Sequence, residues 1–173
     1  MDKILVVLGH GFEETEYVAT RDALIRSGFD IESVSLEDTL EMKTNHNLII
    51  KADKSFSEIV TDDYKAIFIP GGPGTSKLGE KEEFDLLLND FINSDRVISA
   101  ICAAPTLLAK RGLLKDHDAV CYPDEELVSQ LIIGGANYLK DKKFVKSGRF
   151  FTGKNMQVSI EFGYELAKFI EDI

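Results

Sequence analysis

Five consecutive apolar residues, Ile4-Leu5-Val6-Val7-Leu8, run straight into Gly9. A strand with one wet face would alternate apolar and polar side chains. An unbroken run reads instead as a strand buried on both faces, and such strands belong to parallel sheets covered by helices. The chain repeats this theme: Ala66-Ile67-Phe68-Ile69 stops at Pro70-Gly71-Gly72, and Val97-Ile98-Ser99-Ala100-Ile101 runs into Cys102. Between these runs lie segments of helical spacing. They are Tyr17 to Ile25 (stopping near Gly28), the stripe Phe84, Leu87, Leu88, Phe91 and Ile92, then Pro105 to Lys110, Leu127 to Ile133, and Val158 to Ile170. Ile31 to Leu36 alternates as a less buried strand would. Leu48-Ile49-Ile50 reads as a short strand before a brief helix around Phe56 to Val60. Ala119 to Tyr122 reads as another strand, and Phe144 to Thr152 as a strand or hairpin. Strand, helix, strand over the full length predicts an α/β domain with a mostly parallel sheet.

No linker, repeat or low-complexity stretch interrupts residues 1–173, so a single domain is expected. Thirty acidic against twenty basic residues give a net charge of −10. That charge repels phosphate backbones and anionic headgroups, which argues against nucleic-acid and membrane partners. No apolar run approaches the roughly 20 residues of a spanning helix. The first residues, MDKILVVLGHGFEE, turn acidic too early for a secretory signal. Two cysteines, Cys102 and Cys121, cannot build a disulfide framework, and a reduced, cytoplasmic location is expected.

In parallel sheets, sites lie beyond the carboxyl ends of the strands. Three loops there carry unusual residues: Gly9 to Glu16, Pro70 to Thr75, and Ile101 to Pro105. Cys102 sits where a β-branched run turns into a helix, which would hold its thiol out of the sheet and beside helix amides that favour thiolate. A free cysteine is also commonly a core residue, and local sequence leaves both readings open. Cys121, inside an apolar run, reads as core. Glu13, Glu14 and Glu16 open the first helix, where acids complement its dipole. One of them could instead stay protonated and donate to a nearby thiolate, and spacing does not say which points inward. The glycine loop could supply N–H groups to an anion or oxyanion. It lacks the ending of a Walker loop, and Gly9-His10-Gly11 is followed by Glu14 where a dinucleotide fingerprint needs glycine. Of the histidines, His10 lies at the end of the first strand, His46 in a polar loop, and His117 among charged neighbours that suggest solvation. No pair has metal-ligand spacing, so no metal and no cofactor are expected.

Taken together, Gly11-Phe12-Glu13-Glu14-Thr15-Glu16, Ile69-Pro70-Gly71-Gly72 and Ala100-Ile101-Cys102-Ala103-Ala104-Pro105 resemble the ThiJ/PfpI superfamily over essentially the whole chain. The resemblance implies a flavodoxin-like, doubly wound α/β sandwich and a homodimer. It implies that Cys102 is the elbow nucleophile and Glu16 the carboxyl that hydrogen-bonds its sulfur. It implies further that Glu13 is an accessory acid and that Gly72 and Ala103 supply the amides of an oxyanion site. Peptidase-type members carry histidine directly after the nucleophile, where this chain has Ala103. Others have His-Pro in the next strand, where this chain has Tyr122-Pro123. Without a cysteine–histidine dyad, amide hydrolysis is not expected.

The activity implied is cysteine-dependent protection against reactive dicarbonyls. This would be glyoxalase-like conversion of methylglyoxal or deglycation of its adducts on protein side chains, with His10, Tyr122 and His46 as secondary candidates. The alternative is a redox sensor or chaperone-like protein whose Cys102 stops at sulfenic or sulfinic acid. A non-catalytic binding module is the third class.

Overall fold

The computed structural model describes residues 1–173. Its central sheet has seven strands. In chain order they are β1 (Lys3–Leu8), β2 (Asp30–Ser35), β5 (Lys54–Ser55), β6 (Tyr64–Ile69), β7 (Val97–Ile101), β10 (Phe144–Ser147) and β11 (Phe150–Gly153). Two small pairs lie outside it: β3 (Glu41–Lys43) with β4 (Ile49–Lys51), and β8 (Asp118–Ala119) with β9 (Asn137–Tyr138). The helices are α1 (Glu14–Arg26), α2 (Thr75–Leu78), α3 (Glu82–Asn93), α4 (Pro105–Lys110), α5 (Glu125–Ile133) and α6 (Ser159–Glu171).

Across the sheet the order is β10-β11-β7-β6-β1-β2-β5. Only β10 runs antiparallel to its neighbour. The doubly wound, mostly parallel architecture expected from the sequence is thus the one observed. Alternate residues of β1 enter different cores, as the twofold period of a strand requires. Leu5 and Val7 join α3 and α4 residues such as Phe84 and Leu107 on one face. Ile4, Val6 and Leu8 join Leu24 of α1 and Phe162 of α6 on the other. Helix α1 stops as its sequence suggested: Ser27 caps it, and Gly28 follows at φ +95°.

Three elements differ from the sequence reading. Leu48-Ile49-Ile50 does not extend the main sheet, because β4 folds back on β3 in an antiparallel hairpin with Leu48 and Ile49 exposed. The turn is made by Thr44-Asn45-His46-Asn47, with Asn47 at φ +66°, a conformation asparagine tolerates. The brief helix after it is a 3₁₀ turn, Phe56–Glu58. The expected strand from Ala119 to Tyr122 ends at Ala119, and the chain then turns back toward β7.

At the amino ends of the strands, Glu32 ties four strands together. Its carboxylate accepts from Tyr64 Oη at 2.6 Å and pairs with Lys3 at 2.9 Å and Lys54 at 3.0 Å. The Tyr64 hydrogen bond, followed by the two lysines, pulls the Glu32 carboxyl down to about 2. A lowered folded-state value means that the stabilisation is present above the unfolded value near 4.5 and is lost as pH falls toward 2. Because the group is partly solvated, we expect Tyr64→Phe to cost only about 1–2 kcal/mol at pH 7. The cost should shrink in urea melts repeated at pH 3. An equal loss at both pH values would rule out this origin.

Candidate functional site

The sheet reverses its direction of growth between β1 and β6, and the crevice beyond their carboxyl ends is where such folds place ligands. Three loops meet there. After β7, Cys102 adopts φ +64°, a left-handed conformation that costs a non-glycine residue about 1–2 kcal/mol. The strain is held from both sides. Cys102 N–H donates to Gly153 O at 3.0 Å, and Tyr122 N–H donates to Cys102 O at 2.9 Å. The thiol is therefore turned out of the sheet, half-buried, while Cys121 is fully buried and donates from Sγ to Tyr122 O at 3.4 Å. Burial, then the nearby Asp124 charge, pushes the Cys121 thiol up to about 12.

After β6, Gly71 and Gly72 pass directly under the cysteine. A side chain at Gly71 would place Cβ 2.7 Å from Cys102 Cβ and 2.9 Å from Glu16 Oε2. Gly72 sits at φ +108° against the backbone of Gly11 and Glu13, with Glu13 N–H donating to Gly71 O at 2.9 Å. Only glycine meets both the close approach and the backbone angle.

After β1, the three acids separate. Glu13 is the N-cap of α1, accepting from Thr15 N–H at 3.2 Å, and its other oxygen accepts from Asn45 Nδ2 at 2.9 Å. Glu14 is buried rather than facing solvent, and its Oε1 lies 2.9 Å from His46 Nδ1. Glu13, Glu14 and His46 offer atoms within 4.8 Å of one another, a grouping that linear spacing could not reveal. Glu16 is fully buried. Its Oε2 accepts from Gly71 N–H at 2.7 Å, and its Oε1 is buried without a hydrogen-bond partner of ordinary geometry.

Burial pushes the Glu16 carboxyl up to about 7, against the pull of the Cys102 side chain and the Gly71 amide, with Glu13 adding to the rise. Burial first, and the Glu16 carboxylate second, push the Cys102 thiol up, while the amides of Ala103 and Gly72 pull it down. The two groups thus titrate as a pair. The amides at the turn favour the thiolate, but burial and Glu16 outweigh them. While Glu16 keeps its proton, the repulsion of its carboxylate on the sulfur is absent.

These groups open onto a cavity of about 510 Å³ lined by Cys102, Glu16, Glu13, Gly72, Ala103 and Tyr122. The two histidine candidates do not line it. His10 is exposed, with Nδ1 accepting from Lys43 N–H at 3.2 Å, because β3 draws its ring toward the hairpin. His46 is exposed and reaches the α1 acids from outside. His117 is not solvated as expected: it is half-buried, 2.9 Å from Ser147 Oγ and edge-on to Phe150. Sequence reasoning missed Asn45, which lines the cavity beside Glu13, and the outer wall formed by α5.

A model of the DJ-1/PfpI family matches residues 2–169. The chain belongs to the DJ-1/PfpI family. Protein dj-1beta of Drosophila melanogaster is 30% identical over 165 residues, covering 95% of this chain and 87% of that protein. A glutathione-independent glyoxalase of Caenorhabditis elegans, DJR-1.2, is 30% identical over 159 residues, covering 92% and 83%. Among solved structures, oxidized DJ-1 of Toxoplasma gondii superimposes with a TM-score of 0.86 at 28% identity, covering 99% of this chain and 97% of that one. The DJ-1/PfpI sandwich is thus this chain's fold.

The half-buried elbow thiol and the buried Cys121 differ enough to be told apart chemically. Limited iodoacetamide should label Cys102 at least tenfold faster than Cys121, read by peptide mass spectrometry. Faster labelling of Cys121 would contradict the elbow geometry.

Proposed function

We propose that this chain acts on reactive dicarbonyls through Cys102 and Glu16, converting methylglyoxal-like aldehydes to hydroxy acids or removing their adducts from protein side chains. One observation carries the reading: a fully buried carboxyl near neutral pKa, with a partnerless oxygen, stands beside a strained thiol at the floor of a cavity. The similarity to a protein named as a glutathione-independent glyoxalase supports it.

The chemistry balances without an outside electron carrier. Cys102 thiolate adds to the aldehyde carbon, forming the C–S bond and moving the carbonyl electron pair to oxygen. Amides of Gly72 and Ala103 stabilise that alkoxide, and the Glu16 proton neutralises it. Glu16, now a carboxylate, takes the C–H proton of the hemithioacetal. Return of that proton to the adjacent carbonyl carbon oxidises the first carbon and reduces the second, leaving a thioester. Water hydrolyses the thioester, releasing lactate and the thiol. Tyr122, at the cavity wall, is the remaining secondary proton donor among the sequence candidates.

No histidine lines the cavity, so peptide hydrolysis lacks its usual base. A second reading, the redox sensor, is favoured by Cys102 being the more exposed thiol and by the similarity to a structure described as oxidized. Peroxide oxidation altering assembly without any lactate formation would favour it. Under either reading we propose a homodimer, with exposed Leu48 and Ile49 of the hairpin as candidate contacts; light scattering giving only a monomer at micromolar concentration would overturn it. A reducing compartment such as the cytoplasm would keep both thiols free. No helix is long and apolar enough to cross a membrane.

The direct test measures lactate from methylglyoxal in thiol-free buffer. Formation proportional to protein, well above that from an equal concentration of a small thiol, supports the proposal. A rate no better than the small thiol overturns it.

A further inference from the structure

We propose that the cavity over Cys102 is selective for charge: it takes uncharged or cationic dicarbonyl compounds and turns away those that also bear a carboxylate, because Asp124 and Glu126 hold its outer wall negative. The substrate part of this statement rests on the function proposed above.

The backbone brings the two acids to the site. Cys102 O accepts from Tyr122 N–H at 2.9 Å, and Tyr122 O accepts from Asp124 N–H at 2.8 Å, which sets the start of α5 at the rim. Asp124 caps that helix, accepting from Glu126 N–H at 3.0 Å and Leu127 N–H at 3.2 Å. Glu126 Oε1 accepts from Gln130 Nε2 at 3.2 Å. These partners are all neutral, and both side chains line the opening. Deeper in, Glu13 is likewise held by the neutral donors Thr15 N–H and Asn45 Nδ2, with His46 3.8 Å away on the outside.

Lys110, at the end of α4, is the single cationic side chain of the lining. Glu13, Asp124 and Glu126 therefore outnumber it three to one. The Cys102–Glu16 pair adds another negative charge once it ionises, and Glu125 extends the acidic edge along the outer side of α5. Low-dielectric walls concentrate such a field in the opening.

Coulomb's law in water gives about a twofold rate effect for each unit charge about 8 Å away. Removing both rim charges should then change an anion's rate by about four- to sixfold relative to a neutral reagent. The experiment compares alkylation of Cys102 by iodoacetate and by iodoacetamide, in which sulfur displaces iodide, followed by mass spectrometry at low ionic strength. The ratio of the two rates is normalised to the same ratio for a small thiol.

For the wild type we expect this normalised ratio to lie about fivefold or more below one. The double variant Asp124→Asn/Glu126→Gln should bring it close to one. Asparagine caps helices as well as aspartate, and the iodoacetamide rate serves as the control for an intact site. Lys110→Gln should lower the ratio about twofold further, and about 0.5 M salt should erase the differences. A wild-type ratio near one, or a double variant that does not move it, overturns the proposal.

A second arm compares methylglyoxal with 4,5-dioxopentanoate, which has the same two adjacent carbonyls and adds a remote carboxylate, as substrates. Should neither be turned over while the alkylation ratios behave as described, the dicarbonyl function falls and the charge selectivity stands. Should both be turned over equally well, the selectivity falls and the function stands.

Discussion

Cys102→Ser is expected to reduce lactate formation from methylglyoxal to the rate of buffer alone, a loss of at least about a thousandfold if the sulfur is the attacking atom. Serine keeps nearly the same shape, so the left-handed turn at φ +64° and its bonds to Gly153 and Tyr122 should survive. What changes is acidity. A hydroxyl in this pocket has no imidazole to take its proton, because no histidine lines the cavity. Glu16, with a carboxyl near 7, is far too weak a base to ionise an alcohol. Cys121→Ser, by contrast, should leave turnover within about twofold, because that side chain is buried in the core away from the opening. Retention of more than about a tenth of the activity by Cys102→Ser would remove sulfur from the mechanism.

Glu16→Gln should make the protein more stable and less active. The carboxyl is raised to about 7 in the folded chain against an ordinary value of 4.5, and burial is the first cause. A raised acid favours the folded state fully below the unfolded value, and this advantage is lost as pH rises through 4.5 to about 7. Above pH 7 the folded chain carries a buried charge, or pays to hold a proton, at a cost of about 2–3 kcal/mol. Glutamine avoids that cost and can still accept from Gly71 N–H. Denaturant melts should therefore show the variant more stable by about 2–3 kcal/mol at pH 8 and nearly equal at pH 4. Its turnover should fall about a hundredfold or more, because an amide cannot exchange a proton with the hemithioacetal. A variant less stable at pH 8 would mean that Glu16 is held ionised by favourable partners, contrary to its partnerless Oε1.

Much of the fold was legible because burial on both faces leaves a plain mark. The runs Ile4 to Leu8 and Ala66 to Ile69 are strands at the centre of the sheet, and nothing polar interrupts them. Short edge elements were less legible. Leu48-Ile49-Ile50 is as apolar as a core strand, yet it pairs only with β3, since hairpin pairing depends on the turn at Asn45 to Asn47 rather than on hydrophobicity. At the site, local sequence marked the glycine turn after β6 and offered the turn at Cys102 beside a core reading, and the left-handed angles at both are seen in the structure. The partition among the three acids does not. It depends on which turn of α1 faces the sheet, and that placed Glu14 against His46 rather than in solvent. His10 and His46 looked equivalent in sequence to Tyr122, but β3 and the hairpin turn carry both rings outside the cavity.

The central claim is that Glu16 and Cys102 share their protons as one unit, and the pH dependence of Cys102 carboxamidomethylation measures it directly. In the wild type the rate should rise with the ionisation of the pair. Glu16→Ala removes the carboxylate that pushes the Cys102 thiol up, which should lower the apparent cysteine midpoint by about one to two units. Glu14→Ala, which loses a part-buried contact to the exposed His46, should leave the midpoint within about 0.3 units, since no hydrogen bond links that acid to the sulfur. A midpoint that moves with Glu16→Ala alone is the predicted result. Equal shifts in both variants, or none in either, would contradict the pairing.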